Sequence, residues 1–257
     1  MRNALTGVAC VAALSASVAL HAEESAGEGP DQSWKGALEL AYLLKRGNTE
    51  SDTLRGLLDA EKETPNWRHT GKLESSSERS RPTRDDDFET TGERHFGSYK
   101  IDRKFGEANY IFNILSAERD RFSGYEYEAA YALGYGRRIL QLPAHQLDAE
   151  IGPGYRWRRI DDDLLVDEDA DKYDNHAVLR LAARYTWQIS ESAQFREEII
   201  SEIDDDGTQS RFVTTLTNKL NSRLSSRITH TLRHNSEVQE GVRKTDQELS
   251  VGLVYGF

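Results

Sequence analysis

Residues Thr245–Phe257 read TDQELSVGLVYGF. Thr245, Gln247, Leu249, Val251, Leu253, Tyr255 and Phe257 share one parity, and Asp246, Glu248, Ser250, Gly252, Val254 and Gly256 share the other. Side chains alternate faces along an extended chain, so this is a strand with one mostly apolar face and one polar or small face. It is also long, since strands of soluble sheets usually run to about five or six residues.

The same split recurs upstream. Leu147, Ala149, Ile151, Pro153, Tyr155 and Trp157 oppose Asp148, Glu150, Gly152, Gly154, Arg156 and Arg158, and Ala177, Leu179, Leu181, Ala183, Tyr185, Trp187 and Ile189 oppose His176, Val178, Arg180, Ala182, Arg184, Thr186 and Gln188. Periodicity and its breakers predict about twelve strands, over 34–46, 49–63, 67–79, 89–103, 108–120, 125–138, 145–159, 175–189, 193–203, 210–220, 223–235 and 245–257. Short connections are expected at 64–66, 104–107, 139–144, 190–192 and 221–222, and longer charged ones at 81–88, 160–174, 204–209 and 236–243. Two tight connections, at Gly47 with Asn48 and at 122–124, fall on the long-loop side.

The chain has 257 residues, 33 Lys or Arg against 44 Asp or Glu, a formal net charge of −11 and 37% hydrophobic residues. A helical membrane bundle is excluded, because each span needs about 20 consecutive apolar residues and only the N-terminal stretch comes close. The acidic balance argues against a nucleic-acid partner, which would call for a basic face. A membrane-crossing sheet remains open. In hydrocarbon every backbone N–H and C=O must be paired within the protein, so a sheet can cross only if it closes. We therefore expect an all-β, antiparallel up-and-down transmembrane barrel of about twelve strands with both termini periplasmic, in the outer membrane of a Gram-negative bacterium. Only alternate residues then touch lipid, which reconciles a polar composition with a membrane protein. Aromatic belts at the two surfaces are expected from Trp34, Trp67, Tyr99, Trp187, Tyr255 and Phe257 at one end, and Tyr125, Tyr127, Tyr155, Trp157 and Phe212 at the other. A soluble β-sandwich would not account for both the long strands and the terminal Phe257.

At the N-terminus, Arg2 and the uncharged run from Ala4 to Leu20 read as a signal peptide over 1–22, cut after Ala22, followed by a polar leader over 23–33 and a single barrel domain over 34–257. Cys10, the one cysteine, lies in the signal and lacks the setting of a lipidation site. The mature chain thus has no thiol, which removes disulfides and cysteine chemistry.

Several stretches also resemble a known family. Gly47–Asn48–Thr49, Glu118 to Tyr125 (ERDRFSGY), Gly134–Tyr135–Gly136, Gly152 to Tyr155 and the ending Gly252 to Phe257 are similar, in order and spacing, to the YdiY-like salt-induced outer membrane proteins grouped as domain of unknown function 481. The resemblance implies an outer-membrane location and an association with salt or osmotic conditions. It implies no catalytic or ligand residues. The ending also resembles the strand recognised by the outer-membrane barrel assembly machinery, with Tyr255 and Phe257 as the signal. Within the family-like stretch, Gly124 is expected to take a turn conformation that other residues resist, with ligand contact as the alternative.

Twelve strands about 4.8 Å apart and tilted by about 40° give a radius of roughly 12 Å, so the lumen should be narrow. Parity points Arg156, Arg158, Arg180, Arg184, Arg211, Lys219, Arg223, Arg227 and Arg233 inward, with Glu39, Asp59, Glu61, Glu150, Glu198, Glu202 and Glu248. Two roles stand open: a charged constriction passing small ions or solutes, with Arg156 and Arg180 as selectivity candidates, or ladders of ion pairs that plug the lumen. A hydrolase is the third reading. His230 and His234 lie near Ser225 and Ser226, but residues four apart on a strand are about 13 Å apart, and no Gly-x-Ser-x-Gly occurs. Asp167, Asp169 and Asp171 have the opening spacing of a calcium loop, yet Lys172 stands where its glycine belongs and Val178 where its closing glutamate belongs. No cofactor is expected. The expected partners are outer-membrane lipid, lipopolysaccharide and the assembly machinery, around a monomer.

Overall fold

A computed structural model of the protein describes residues 33–45, 50–81, 87–121, 123–161, 172–237 and 244–257. The signal, most of the leader, the tight connection at Gly47 with Asn48, and the acidic stretch holding Asp167, Asp169 and Asp171 lie outside the described residues. The strands are β1 (Lys35–Lys45), β2 (Glu50–Glu63), β3 (Trp67–Arg81), β4 (Glu89–Phe105), β5 (Asn109–Asp120), β6 (Tyr125–Gln141), β7 (His145–Ile160), β8 (Tyr173–Gln188), β9 (Ala193–Ile203), β10 (Thr208–Lys219), β11 (Leu224–Asn235) and β12 (Thr245–Gly256). They form one closed barrel, each pairing antiparallel with its sequence neighbours and β1 pairing with β12. Among the described residues no helix is long and apolar enough to cross a membrane.

Both ends of β1–β12 that lack a partner loop, Lys35 and Gly256, sit at the same end as the turns 64–66, 106–108, 142–144, 189–192 and 220–223. We call this the terminal end, and the opposite one the loop end. The tight connection around Gly124 belongs at the loop end, and Gly124 there has a φ of 85°, in the left-handed region that costs glycine nothing. Ser123 closes the same turn by donating both its amide and its hydroxyl to the Asp120 carbonyl.

Side-chain placement inverts that of a soluble protein. Leu40, Leu73 and Val251 are 59%, 59% and 58% exposed, whereas Glu39, Asp102, Asp148 and Arg156 are buried, Arg156 and Asp102 completely. An outer surface so apolar is stable only against hydrocarbon, and the polar faces converge on the axis. Trp34, Trp67, Tyr99, Trp187, Tyr255 and Phe257 are exposed toward the terminal end, and Tyr127, Tyr155, Trp157 and Phe212 toward the loop end. Tyr125 corrects the expectation of a surface belt residue. A bulge between Tyr125 and Tyr127 shifts the pairing with β7, and the Tyr125 hydroxyl lies 3.2 Å from Asp174 beneath the Arg158 guanidinium, inside the mouth.

The seam is the shortest ladder: β1 and β12 share five register pairs, Ala37↔Gly256 to Ala41↔Gly252. Beyond it Gly36 and Phe257 exchange both backbone hydrogen bonds at 2.9 Å. The Phe257 ring lies over Gly36, where a Cβ would collide with it.

Candidate functional site

Twelve inward faces leave a cavity of about 880 Å³ along the axis. Lys35 and Glu61 line it at the terminal end, and Ser123, Asn235 and Lys244 at the loop end, so it runs the length of the barrel. Three structural layers shape it.

The first is a shelf on the β3–β7 wall. Tyr110 and Phe112 of β5 are 4% and 0% exposed and lie flat against β6. They fit because Gly134 and Gly136 face inward there; a Cβ on Gly134 would come within 2.7 Å of the Phe112 ring, and one on Gly136 would enter the Tyr110 ring. Cations cover the rings: Arg68 stands 4.9 Å from the Tyr110 centroid and Lys100 5.5 Å from that of Phe112. Arg68 in turn binds Asp102 at 2.6 Å and reaches Asp148 at 3.6 Å, and Lys100 bridges Asp102 at 2.8 Å and Glu150 at 2.5 Å. Glu150 also accepts the Tyr110 hydroxyl at 2.9 Å. Every buried charge here has an opposite partner, as low dielectric requires.

The second layer is the loop-end mouth. Arg156 pairs with Glu202 and, at 3.0 Å, with Asp204. Arg180 donates to the other Glu202 oxygen at 2.9 Å. Arg158 holds Glu128 at 2.5 Å and Asp174 at 3.4 Å. Arg156 and Arg180, the two selectivity candidates, therefore share one carboxylate and are committed to the wall. Nearby, both His176 ring nitrogens face carboxylates, Nδ1 towards Asp205 at 2.9 Å and Nε2 towards Asp174 and Asp206. The hydrogen bond from His176 holds the Asp205 carboxyl, on the β9–β10 turn, below the usual carboxylate range.

The third layer is the middle of the lumen. Arg184 contacts Glu198 at 3.3 Å, and Arg227 contacts Glu39 at 2.8 Å and Asp59 at 3.9 Å. Glu248 accepts from Arg55 at 2.7 Å and lies 3.9 Å from Arg233. Glu74 is shared by Arg55 at 3.0 Å and Arg94 at 2.9 Å, and Arg94 also binds Glu118 at 2.6 Å. Arg211 of β10 reaches to 5.9 Å from the Phe96 centroid on β4. β4 and β10 are six places apart in a ring of twelve, so this side chain spans the lumen and narrows it.

Of the inward candidates read from parity, Arg223 is the one that structure moves. It sits in the 220–223 turn, and its guanidinium lies 3.4 Å from the Tyr255 hydroxyl on the outer surface. The register ends at Leu224↔Tyr255, so parity no longer governs Arg223. The strand-borne candidates, including Lys219, Asp59 and Glu61, lie on the inward parity of their ladders. The hydrolase pairing has no geometry: His230 pairs with Thr214 and Leu249 on the outward parity, Ser225 falls on the inward one, and His234 bonds Thr245 at 2.9 Å. Lys72, Glu74, Arg94, Lys100, Asp102 and the Tyr110–Phe112 shelf escaped sequence reasoning. On β3 the outward set His69, Gly71, Ser75 and Ser77 is itself nearly polar, so hydropathy hides the alternation. Anchoring the parity on Trp67 and Leu73 would have found Lys72 and Glu74.

Comparison with known proteins adds family and fold. The family described as "Protein of unknown function, DUF481" matches residues 38–257. The uncharacterized protein YdiY of Escherichia coli (strain K12) is 24% identical over 230 residues, covering 87% of this chain and 83% of its own. Among solved structures the NanC porin is similar with a TM-score of 0.50 at 10% identity, over 86% of this chain and 98% of its own. The COG4313 outer membrane channel from Pseudomonas putida F1 aligns at a TM-score of 0.49 and 11% identity, over 91% and 100%. At such identities the likeness is one of fold, that of outer-membrane barrels.

Proposed function

The chain belongs to the DUF481 family of proteins of unknown function, and from that premise and the lumen geometry we propose that it is a narrow, passive channel for small ions or solutes. The observation that carries this is the cavity of about 880 Å³ reaching from Lys35 and Glu61 to Ser123 and Lys244. Averaged over roughly 30 Å of hydrocarbon, that volume corresponds to a cross-section of about 30 Å², room for a small hydrated solute and none for a folded polypeptide. The porin description of NanC supports the same reading. In this proposal the chain is a monomer in the outer membrane of a Gram-negative bacterium, because closure leaves no free strand edge. The terminal end faces the periplasm, the apolar band contacts lipid and lipopolysaccharide, and Tyr255 and Phe257 present the last strand to the barrel assembly machinery.

Purified, refolded protein in a planar bilayer tests it. Discrete conductance steps are expected. A silent membrane, with insertion verified by protease protection, would reject the channel and leave the buried shelf as the plug of an envelope-structural barrel.

A further inference from the structure

We infer that the lumen holds a binding site for small anions bearing a carboxylate, phosphate or sulfonate group, formed by Lys72, Arg211 and Arg233. The inference deepens the channel proposal and rests on it for its transport consequence. It comes from sorting the inward charges by depth and by whether each has a counter-ion.

Among the described residues, neither Lys72 nor Arg211 has a carboxylate within ion-pair distance, although both face the axis. Lys72 stands in register with Asp59, but Asp59 turns to Arg227 instead. Arg211 stands directly opposite Arg233 in the β10–β11 ladder, a like-charge pairing that is unfavourable by itself. Arg233 gets only the 3.9 Å contact with Glu248, whose other oxygen belongs to Arg55. Of the carboxylates of this layer, Glu74 and Glu248 are each divided between two cations, Glu198 is held by Arg184, and Glu39 and Asp59 share Arg227. Among the described residues, two carboxylates that line the cavity have no cation within ion-pair distance: Glu61 at the terminal end, and Asp246 beside Arg233 in the β11–β12 ladder.

Positive charge without an ion pair is therefore local to Lys72 and Arg211, in a chain whose net charge is −11. Low-dielectric walls strengthen such a field and raise the local concentration of counter-ions. An anion placed there relieves the Arg211–Arg233 repulsion and supplies Lys72 with a partner. The Arg211 guanidinium, held across the lumen over Phe96, puts the site where a side chain projects into the passage. Since the cations are separate side chains on different strands, the anion meets several weak partners in succession, which permits release as well as entry.

The test is the reversal potential of the refolded protein in planar bilayers under a potassium chloride gradient, with inorganic phosphate as a competing ion. Wild type is expected to prefer chloride over potassium, and millimolar phosphate is expected to reduce its current. Lys72→Gln with Arg211→Gln should lower the chloride-to-potassium permeability ratio by about threefold or more and abolish the phosphate effect. Retained heat-modifiable mobility on electrophoresis identifies variants that still fold. Conductance with potassium preference, or selectivity unchanged in folded variants, overturns the anion site while the channel stands. A silent membrane overturns the channel; phosphate binding by calorimetry to the same refolded protein then decides the site, and its absence overturns that too.

Discussion

A few residues explain motifs that read in the sequence only as glycine-rich. Gly134–Tyr135–Gly136 alternates two inward glycines with an outward tyrosine: Gly136 leaves room for the Tyr110 ring, and Gly134 lets the β7 backbone at Ile151 and Gly152 approach closely beside the Phe112 ring. The Tyr110 ring cannot yield, because Glu150 fixes its hydroxyl and Arg68 and Lys100 cover its face. Replacing a strand glycine by alanine ordinarily gains a few tenths of a kcal/mol to about 1 from reduced chain entropy. Overpacking against a fixed ring outweighs that. Gly136→Ala is expected to lower stability by about 1–3 kcal/mol in guanidinium unfolding followed by tryptophan fluorescence in micelles. Gly56→Ala, where a Cβ would meet nothing nearer than Leu40 at 3.8 Å on the outer face, should stay within about 0.5 kcal/mol. An equal loss at both positions would remove the ring contact as the cause. The glycines were legible as a pattern; their purpose was not, since Tyr110 and Gly136 meet across a strand pair that only the register specifies.

Among the elements, the β9–β10 turn carries the clearest switchable link. Asp204 organises it by accepting the amides of Asp206 and Gly207 at 3.1 and 2.9 Å, while its other oxygen binds Arg156. Asp205 and Asp206 then tie the turn to His176 on β8. Asp205 is held below the usual carboxylate range by that hydrogen bond, so the folded state prefers it ionised. Its contribution is complete above the unfolded carboxylate value of about 4 and is lost as the pH falls through the depressed folded value. On the alkaline side the tie loosens as the imidazole gives up its proton. Protection of the turn from proteolysis is therefore expected to be greatest at mildly acidic pH and to weaken in both directions. His176→Gln should flatten the alkaline limb and leave the Asp204 cap in place; an alkaline limb that survives the substitution would sink the assignment. Strand positions were legible at this scale because a period of two needs no partner, and the observed ends fall within about three residues of those expected. The bulge at Tyr125 was not, because one extra residue changes no composition and only the mismatch with β7 reveals it.

For the whole molecule the decisive event is closure, and its weakest join is the five-pair seam between β1 and β12. Phe257 lengthens that seam by exchanging two backbone hydrogen bonds with Gly36 and covering it with its ring. Deleting Phe257 is expected to cost about 2 kcal/mol or more when the protein is refolded into micelles with no assembly factor, whereas Phe257→Leu keeps the backbone pair and most of the stability. An unchanged unfolding midpoint in the deletion would leave Phe257 with a targeting role alone. The sequence by itself determined the strand number, the antiparallel order and the faces of those strands whose two sides differ clearly in hydropathy, because alternation against oil and water is a local property of the chain. The tertiary structure alone decided which inward charges cancel. Lys72 and Asp59 are neighbours in register yet go unpaired, while Arg211 crosses to Phe96 on the opposite wall, because counter-ion choice depends on distances across a closed lumen that no linear spacing encodes.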